Sequence, residues 1–258
     1  MESLNMCQFK SAIILKDHVY ISKVSESHTT MLEELKIEDN QRNAEKRFVR
    51  AELVPLNNDV FSDIDTWKFV VDQDIIPEWF VKEYEETRIR EAVKLWAKDH
   101  IFIGVDDLRL SEGMFYLKDC KNSHCSNTTS EHYGNATSEH YDNATSKHYS
   151  NATSKHWGNT TSEHYDNATS KHYSNATSKH WGNTTSEHYD NATSKHCSNT
   201  TSKHYGNATS KHWGFSVSCL PEYSSVEHES IILMENSTLK DCKEKTIYQS
   251  GDWKLVLV

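Results

Sequence analysis

Histidine returns at every eighth residue from His124 to His212, and the residue after it is tyrosine or tryptophan in all but two copies. Neutral imidazole is a ligand for zinc, nickel or copper, so His132, His148, His164 and His180 are candidate metal ligands along one side of a stack. The competing reading makes each histidine a volume-filling, hydrogen-bonded rung. Every other position is copied as faithfully, so the regularity alone does not argue for ligation, and no cofactor is assigned. The aromatic residues form two ladders: Tyr133, Tyr149, Tyr165, Trp181 and Trp213 on one side, Tyr141, Trp157, Tyr173, Tyr189 and Tyr205 on the other. Stacked rings stabilise a sheet, and they also offer an apolar stripe to a protein or glycan partner.

Other chemistry is sparse. Asp63, Asp65, Asp72 and Asp74 could be written as a carboxylate cluster and His100 as its companion, although turns and strand ends are rich in Asp for conformational reasons. Cys120, His124 and Cys125 contain Cys-x4-Cys with no second pair nearby to complete a zinc site. The sequence contains no phosphate loop, dinucleotide fingerprint, nucleophile elbow or zinc-protease motif.

The element that positions the histidines and aromatics is an octapeptide: Asn, Ala or Thr, Thr, Ser, Glu or Lys, His, Tyr or Trp, then Gly, Asp or Ser. Eight residues are about 2.2 helical turns, and the turn pair would interrupt every helix, so the unit reads as one strand and one corner. An even period keeps side-chain parity. The charged fifth position must face water, which carries the third and seventh outward and sends the second, fourth and sixth inward. Residues 135–158, 159–182 and 183–206 are near-identical 24-residue copies. Three strands per coil would stack Glu139 on Glu163 on Glu187, and Lys147 on Lys171 on Lys195; like charges directly opposite are destabilising. Two strands per coil give the mixed ladders Glu131, Lys147, Glu163, Lys179 and Glu139, Lys155, Lys171, Glu187. The expectation is a β-solenoid with about 16 residues per coil and five to six coils, roughly 25 Å of stack.

The repeat, its flanks LKDCKN (117–122) and LKDCKEKTIYQSGDWKLV (239–256), and the preceding DIDTWKFVVDQDIIPEWF resemble uncharacterised bacterial and bacteriophage proteins with tandem Asn-Ala-Thr-Val-Glu-Ala-Trp-Gly repeats. The resemblance implies a β-solenoid and supplies no activity. Here Ser and His replace the Val and Ala of that repeat at inward positions, which implies an unusually polar core. Apolar end coils should compensate, from Met114, Phe115, Tyr116 and Leu117 before the array and Leu233, Met234, Leu239, Ile247, Trp253, Leu255 and Val256 after it.

Before the repeat, residues 11–22 read as a strand pair around Lys16 and Asp17, with further strands at 47–54 and 66–71 and a short helix at 29–35. Pro77 is expected to open the longest helix, with Val81, Tyr84, Ile89, Ala92, Val93 and Trp96 as its apolar face. The predicted organisation is a small α+β domain over 1–105 and a solenoid over 106–258. Within the latter, the octapeptide array spans 119–214, a loop about 220–229, and a C-terminal cap 230–258.

The net charge of -10 gives no electrostatic reason to expect nucleic acid or an anionic membrane. No apolar stretch approaches the ~18 residues of a membrane span, and the start lacks a basic region followed by an apolar run, so a soluble, cytoplasmic chain is expected. Its six cysteines are too scattered for a disulfide scaffold and read as reduced thiols. The recurring Asn-x-Thr is read as turn-to-strand chemistry rather than as a glycosylation acceptor. The functional expectation is a non-enzymatic structural or interaction protein, its solenoid a spacer or binding face for an unidentified protein or glycan. Metal or small-ligand binding along the histidines is the alternative, and an enzyme sited in the N-terminal domain a second one.

Overall fold

The structure is a computed structural model that describes residues 10–222, 224, 231–244, 246–250 and 256–257. The chain divides into two compact units, residues 1–101 and 102–258.

In the first unit, β1 (Lys10–Leu15), β2 (Val19–Tyr20), β3 (Phe48–Val54) and β4 (Lys68–Val71) form an antiparallel sheet in the order β2-β1-β3-β4. Helix α1 (His28–Glu34) begins where the Ser27 side chain accepts from the Thr30 amide, and α2 (Gln41–Ala44) where Asn40 caps in the same way. Ile13, Met31, Leu32, Ile37, Ala44 and Phe48 make the core between these helices and the sheet. The predicted strands and the first helix fall within a few residues of these elements; α2 had no sequence signal beyond its Asn cap.

The long helix departs from expectation. Pro77 opens only a turn, its carbonyl accepting from Phe80, and α3 runs Lys82–His100 from an uncapped Val81. Its buried face is Glu85, Ile89, Val93, Trp96 and Ala97, whereas Val81 is 55% and Tyr84 63% exposed. The i, i+4 series 85-89-93-97 sets the face, and Glu85 is tolerated there because Arg88 lies 2.7 Å away. Guanidinium donors fix the helix position: Arg88 reaches the Leu15 carbonyl, and Arg90 reaches those of Ile64 and Trp67.

The second unit is a β-solenoid of about 7 turns with about 16 residues per coil. It starts with β5 (Ile101–Ile103), β6 (Arg109–Lys118) and β7 (Ser123–Tyr133). Each later octapeptide contributes one strand: β8 (Thr137–Tyr141), β9 (Thr145–His148), β10 (Thr153–His156), β11 (Thr161–His164), β12 (Thr169–His172), β13 (Thr177–His180), β14 (Thr185–His188), β15 (Thr193–His196), β16 (Thr201–His204) and β17 (Thr209–His212). Strands two apart pair in parallel at a 16-residue offset, such as Thr153↔Thr169 in β10–β12 and Thr161↔Thr177 in β11–β13, so even and odd strands build opposite sides. Pairing continues through the corners, where Tyr149, Asn151 and Thr153 donate to the carbonyls of His132, Gly134 and Ala136. A strand this short is stable only because nearly every backbone group of the octapeptide meets the coil beside it.

The corner is fixed by the eighth residue, which has positive φ whether it is glycine (Gly158, φ +84), aspartate (Asp142, φ 60) or serine (Ser150, φ 61). Asn at the next position lines each corner edge. Its Nδ2 donates to the Oδ1 of the Asn one coil earlier at 3.3–3.5 Å, for example Asn151 to Asn135 and Asn175 to Asn159. The Asn of Asn-x-Thr therefore has a structural task that a substituted amide would interrupt.

The octapeptide register shifts over the first half of β7, which pairs with β8 at an offset of 15, Ser123↔Ser138 and Cys125↔His140, between the positive-φ residues Asn122 (φ 55) and Asn127 (φ 52); the offset of 16 returns at Thr129↔Thr145. Cys125 thereby takes an inward rung and His124 turns outward, so eleven of the twelve array histidines are interior.

The ends are apolar. Phe115, Leu117 and Cys120 are buried with Phe102, Leu108 and Leu110 at the start. Beyond the array follow β18 (Val217–Leu220), β19 (Ile231–Leu233), β20 (Thr238–Asp241), β21 (Thr246–Gln249) and β22 (Val256–Leu257). Leu220, Ile231 and Leu239 pack with Leu233 and Tyr248, and the antiparallel β20–β21–β22 ends the parallel stack. Met234 is 43% exposed and adds little to this core. Most of the predicted 220–229 loop, the side chain of Val256, and the cap residues Trp253 and Leu255 lie outside the described residues. No helix among the described residues is long and apolar enough to cross a membrane.

Candidate functional site: the histidine interior and the outer ladders

Parity places the second, fourth and sixth residues of each octapeptide inside. In the octapeptide that contains β10, the side chains of Ala152, Ser154 and His156 are 0–1% exposed, and the other coils repeat this with Ala or Thr at the second position. The imidazoles form two columns, one per side. Within a column rings lie face to face with centroids 4.6–4.9 Å apart, as in His148–His164 and His196–His212. Across the coil the columns meet edge to face at 5.0–5.8 Å, as in His132–His140 and His196–His204. Each Nε2 is joined at 2.9–3.0 Å to the Ser Oγ two residues earlier, as in His156–Ser154 and His164–Ser162. The Nδ1 atoms of all eleven are buried without a hydrogen-bond partner.

Burial holds these rings neutral. Desolvation lowers His132, His172 and His212 to about 3, and it pushes the others well below the ordinary imidazole value, with neighbouring imidazoles adding to the effect. The four histidines named from sequence, His132, His148, His164 and His180, are one column. The facing column, His140, His156, His172, His188 and His204, is equally close and brings nitrogens within reach from both sides. In His140, His148 and His156, and in His156, His164 and His172, one ligand nitrogen from each lies within 4.8 Å of the others. Cys125 joins His132 and His140 in the same way, and burial raises its thiol to about 12. Sequence spacing concealed this, since Cys125 enters the column only through the register shift between Asn122 and Asn127.

Outside, the aromatic ladders stack as the sequence suggested. Tyr133, Tyr149, Tyr165 and Trp181 follow one another, as do Tyr141, Trp157, Tyr173, Tyr189 and Tyr205, with centroids 4.7–5.3 Å apart and planes within 17°. Cys197 interrupts the first ladder before Trp213. Rings stacked this way cover one another's faces and expose edges. Every octapeptide with Glu at its fifth position has Tyr at its seventh, whose hydroxyl donates to that carboxylate: Tyr141 to Glu139 at 2.7 Å, Tyr165 to Glu163 at 2.9 Å, Tyr189 to Glu187 at 2.8 Å, and Tyr133 to Glu131. Lysines on adjacent coils complete the pattern, with Lys171 2.9 Å from Glu187 and Lys179 3.1 Å from Glu163. Lys171 holds the Glu187 carboxyl below its usual range, and the Tyr141 hydroxyl does the same for Glu139.

The remaining sequence candidates serve separate local roles. Asp63 accepts from the Asp65 amide, Asp65 pairs with Lys94, and Asp72 lies 3.2 Å from His28. His100 donates from Nδ1 to the Trp96 carbonyl and stacks on that indole. Cys120 packs in the N-terminal end core, and His124 stacks beside Tyr141 at the surface.

Together these features define a two-sided β-solenoid repeat protein with a neutral, histidine-lined interior. No family model, curated protein or solved structure matches the chain.

Proposed function

We propose that the chain is a non-enzymatic structural and interaction protein: its solenoid is a rigid spacer whose length follows octapeptide number and whose outer face binds an anionic glycan. The observation that carries this reading is the constant interior. Each coil buries the same Ala or Thr, Ser and His, so coils can be added or removed without a new core.

The partner-binding stretch lies on the odd-strand side, where Lys179, Lys195 and Lys211 follow one another in register. Lys195 and Lys211 have no acidic residue at ion-pair distance among the described residues. Beside them Trp181 and Trp213 flank the small Cys197. Two coil steps separate those indoles by roughly 9.6 Å, which leaves between them the ring faces that stacking covers elsewhere in the ladder. A pyranose ring fits a gap of that order, and an acidic substituent would meet the lysines.

Binding of a sulfated oligosaccharide and of a neutral one of equal length, followed by tryptophan fluorescence, tests this. The sulfated ligand is expected to bind, more weakly as salt rises, and the Lys195→Glu/Lys211→Glu variant to lose at least tenfold in affinity. Equal affinity for both ligands, or an unaffected variant, would contradict the proposal.

A further inference from the structure

We propose that the interior histidine columns bind copper(I), three ions per chain, through imidazole nitrogens contributed from both sides of the coil. The inference goes beyond the outer-face reading and does not depend on it.

Two independent observations support it. The Nδ1 atom of every interior histidine is fully buried and has no hydrogen-bond partner, while its Nε2 is already engaged by serine. An orphaned buried polar atom is costly, and repeated on every rung it marks a site with a missing partner. Second, ligand atoms from three residues at a time lie within 4.8 Å of one another. Any three atoms so placed have a common point no more than about 2.8 Å from each, and metal–imidazole bonds are about 2.0–2.1 Å. Closing each group requires side-chain shifts under about 1 Å, and the stacked rings can tilt by that much. The serine bonds act as outer partners that fix ring orientation and leave the other nitrogen to the ion.

Charge selects the ion. Among the described residues the carboxylates of the histidine-bearing coils face outward, the buried Asp241 lying in the C-terminal end beyond them, and one thiol, Cys125, joins the histidine groups. The cost of burying an ion rises with the square of its charge, so an uncompensated divalent cation is far less favourable here than a monovalent one. Neutral imidazole is a good donor for copper, and the monovalent ion accepts the low coordination numbers that two or three ligands provide. Of these overlapping groups, Cys125/His132/His140, His156/His164/His172 and His196/His204/His212 share no residue, and one ion in each gives three per chain.

The test loads the full-length protein with copper(I) anaerobically, against a competing chelator and after alkylation of accessible thiols. Loading is done both on the folded protein and during refolding from guanidinium, so that burial does not block entry. Three copper ions per chain are expected, with an X-ray absorption shell of nitrogen and a minor sulfur contribution from Cys125. The variant His156→Leu/His164→Leu/His172→Leu, its fold checked by circular dichroism, is expected to bind two. No copper uptake under either loading, or a sulfur-dominated shell in the wild type, overturns the site without reference to the variant. Retention of three ions by a folded variant also overturns it, and zinc(II) uptake to the same level overturns the assignment to a monovalent ion.

Discussion

At the scale of single residues, the corner and the interior rung carry most of the determinism. Ser150 occupies the left-handed region, which costs an L residue about 1–2 kcal/mol relative to its favoured conformations, and among the described residues its side chain makes no bond that offsets this. Ser150→Gly keeps the amide at position 150 available to Asp166 and should raise the unfolding free energy by up to about 1 kcal/mol, seen as a higher urea midpoint. The reverse change is penalised twice. At Gly158, with φ +84, a Cβ would lie 3.0 Å from the Asp142 carbonyl oxygen, so Gly158→Ala should lower stability by at least about 1 kcal/mol in the same assay. The interior histidines give the metal-free protein a pH dependence of definite sign. Their folded-state pKa values are lowered, to about 3 for His132, His172 and His212, so below the unfolded-state value of about 6.5 the unfolded chain binds more protons. Stability is fully present above pH ~6.5 and is lost as pH falls toward 3, each rung contributing up to ~1.4 kcal/mol per pH unit. Circular dichroism against pH should show cooperative acid unfolding within that window; a solenoid signal unchanged at pH 4 would contradict neutral buried rungs.

At the scale of elements, the octapeptide behaves as an interchangeable half-coil. Deleting residues 159–174, one full coil, should leave a folded solenoid with strands on their original sides, and deleting 159–182 should leave a folded one in which all later strands change sides. Deleting only 159–162 puts a corner where a strand must pair and should abolish folding; size-exclusion chromatography with circular dichroism checks all three. Much of this was legible before any coordinates. A charge at the fifth position, Glu163 or Lys171, has to face water, and parity then dictates that His164 or His172 faces in. The mixed order of Glu and Lys separated two strands per coil from three. Features that depend on a single backbone conformation stayed hidden. The register shift between Asn122 and Asn127 leaves the eight-residue spacing of His124 and His132 undisturbed, so neither the inward turn of Cys125 nor the exposure of His124 could be read. The frame of α3 was missed for a related reason. Pro77 marks a helix start only when the chain continues helically, and here it opens an isolated turn five residues before Lys82, which moves Tyr84 to solvent and Glu85 inside.

At the scale of the whole chain, a solenoid with a polar interior depends on cooperation between coils and on its apolar ends. The Ala-Ser-His layer buries little aliphatic surface, so ring stacking inside and out, the Asn ladders and the continuous backbone pairing must hold neighbouring coils together. From β8 to β17 the face-to-face stacks, the Asn ladders and the strand register all link residue i to residue i+16, and they fail together if the coil contains 24 residues. Cross-linking of paired cysteines on the exposed threonine row measures that offset directly, in a background with the accessible native cysteines replaced by serine. Parallel neighbours lie about 4.8 Å apart, within the Cα range of a disulfide. Under mild oxidation Thr153→Cys/Thr169→Cys should close an intramolecular disulfide readily and Thr153→Cys/Thr177→Cys should not, because residues 153 and 169 face each other in β10 and β12 while 177 lies in β13 on the opposite side. Efficient closure of the 153/177 pair with failure of the 153/169 pair would contradict the two-strand coil, and with it the two-column histidine interior.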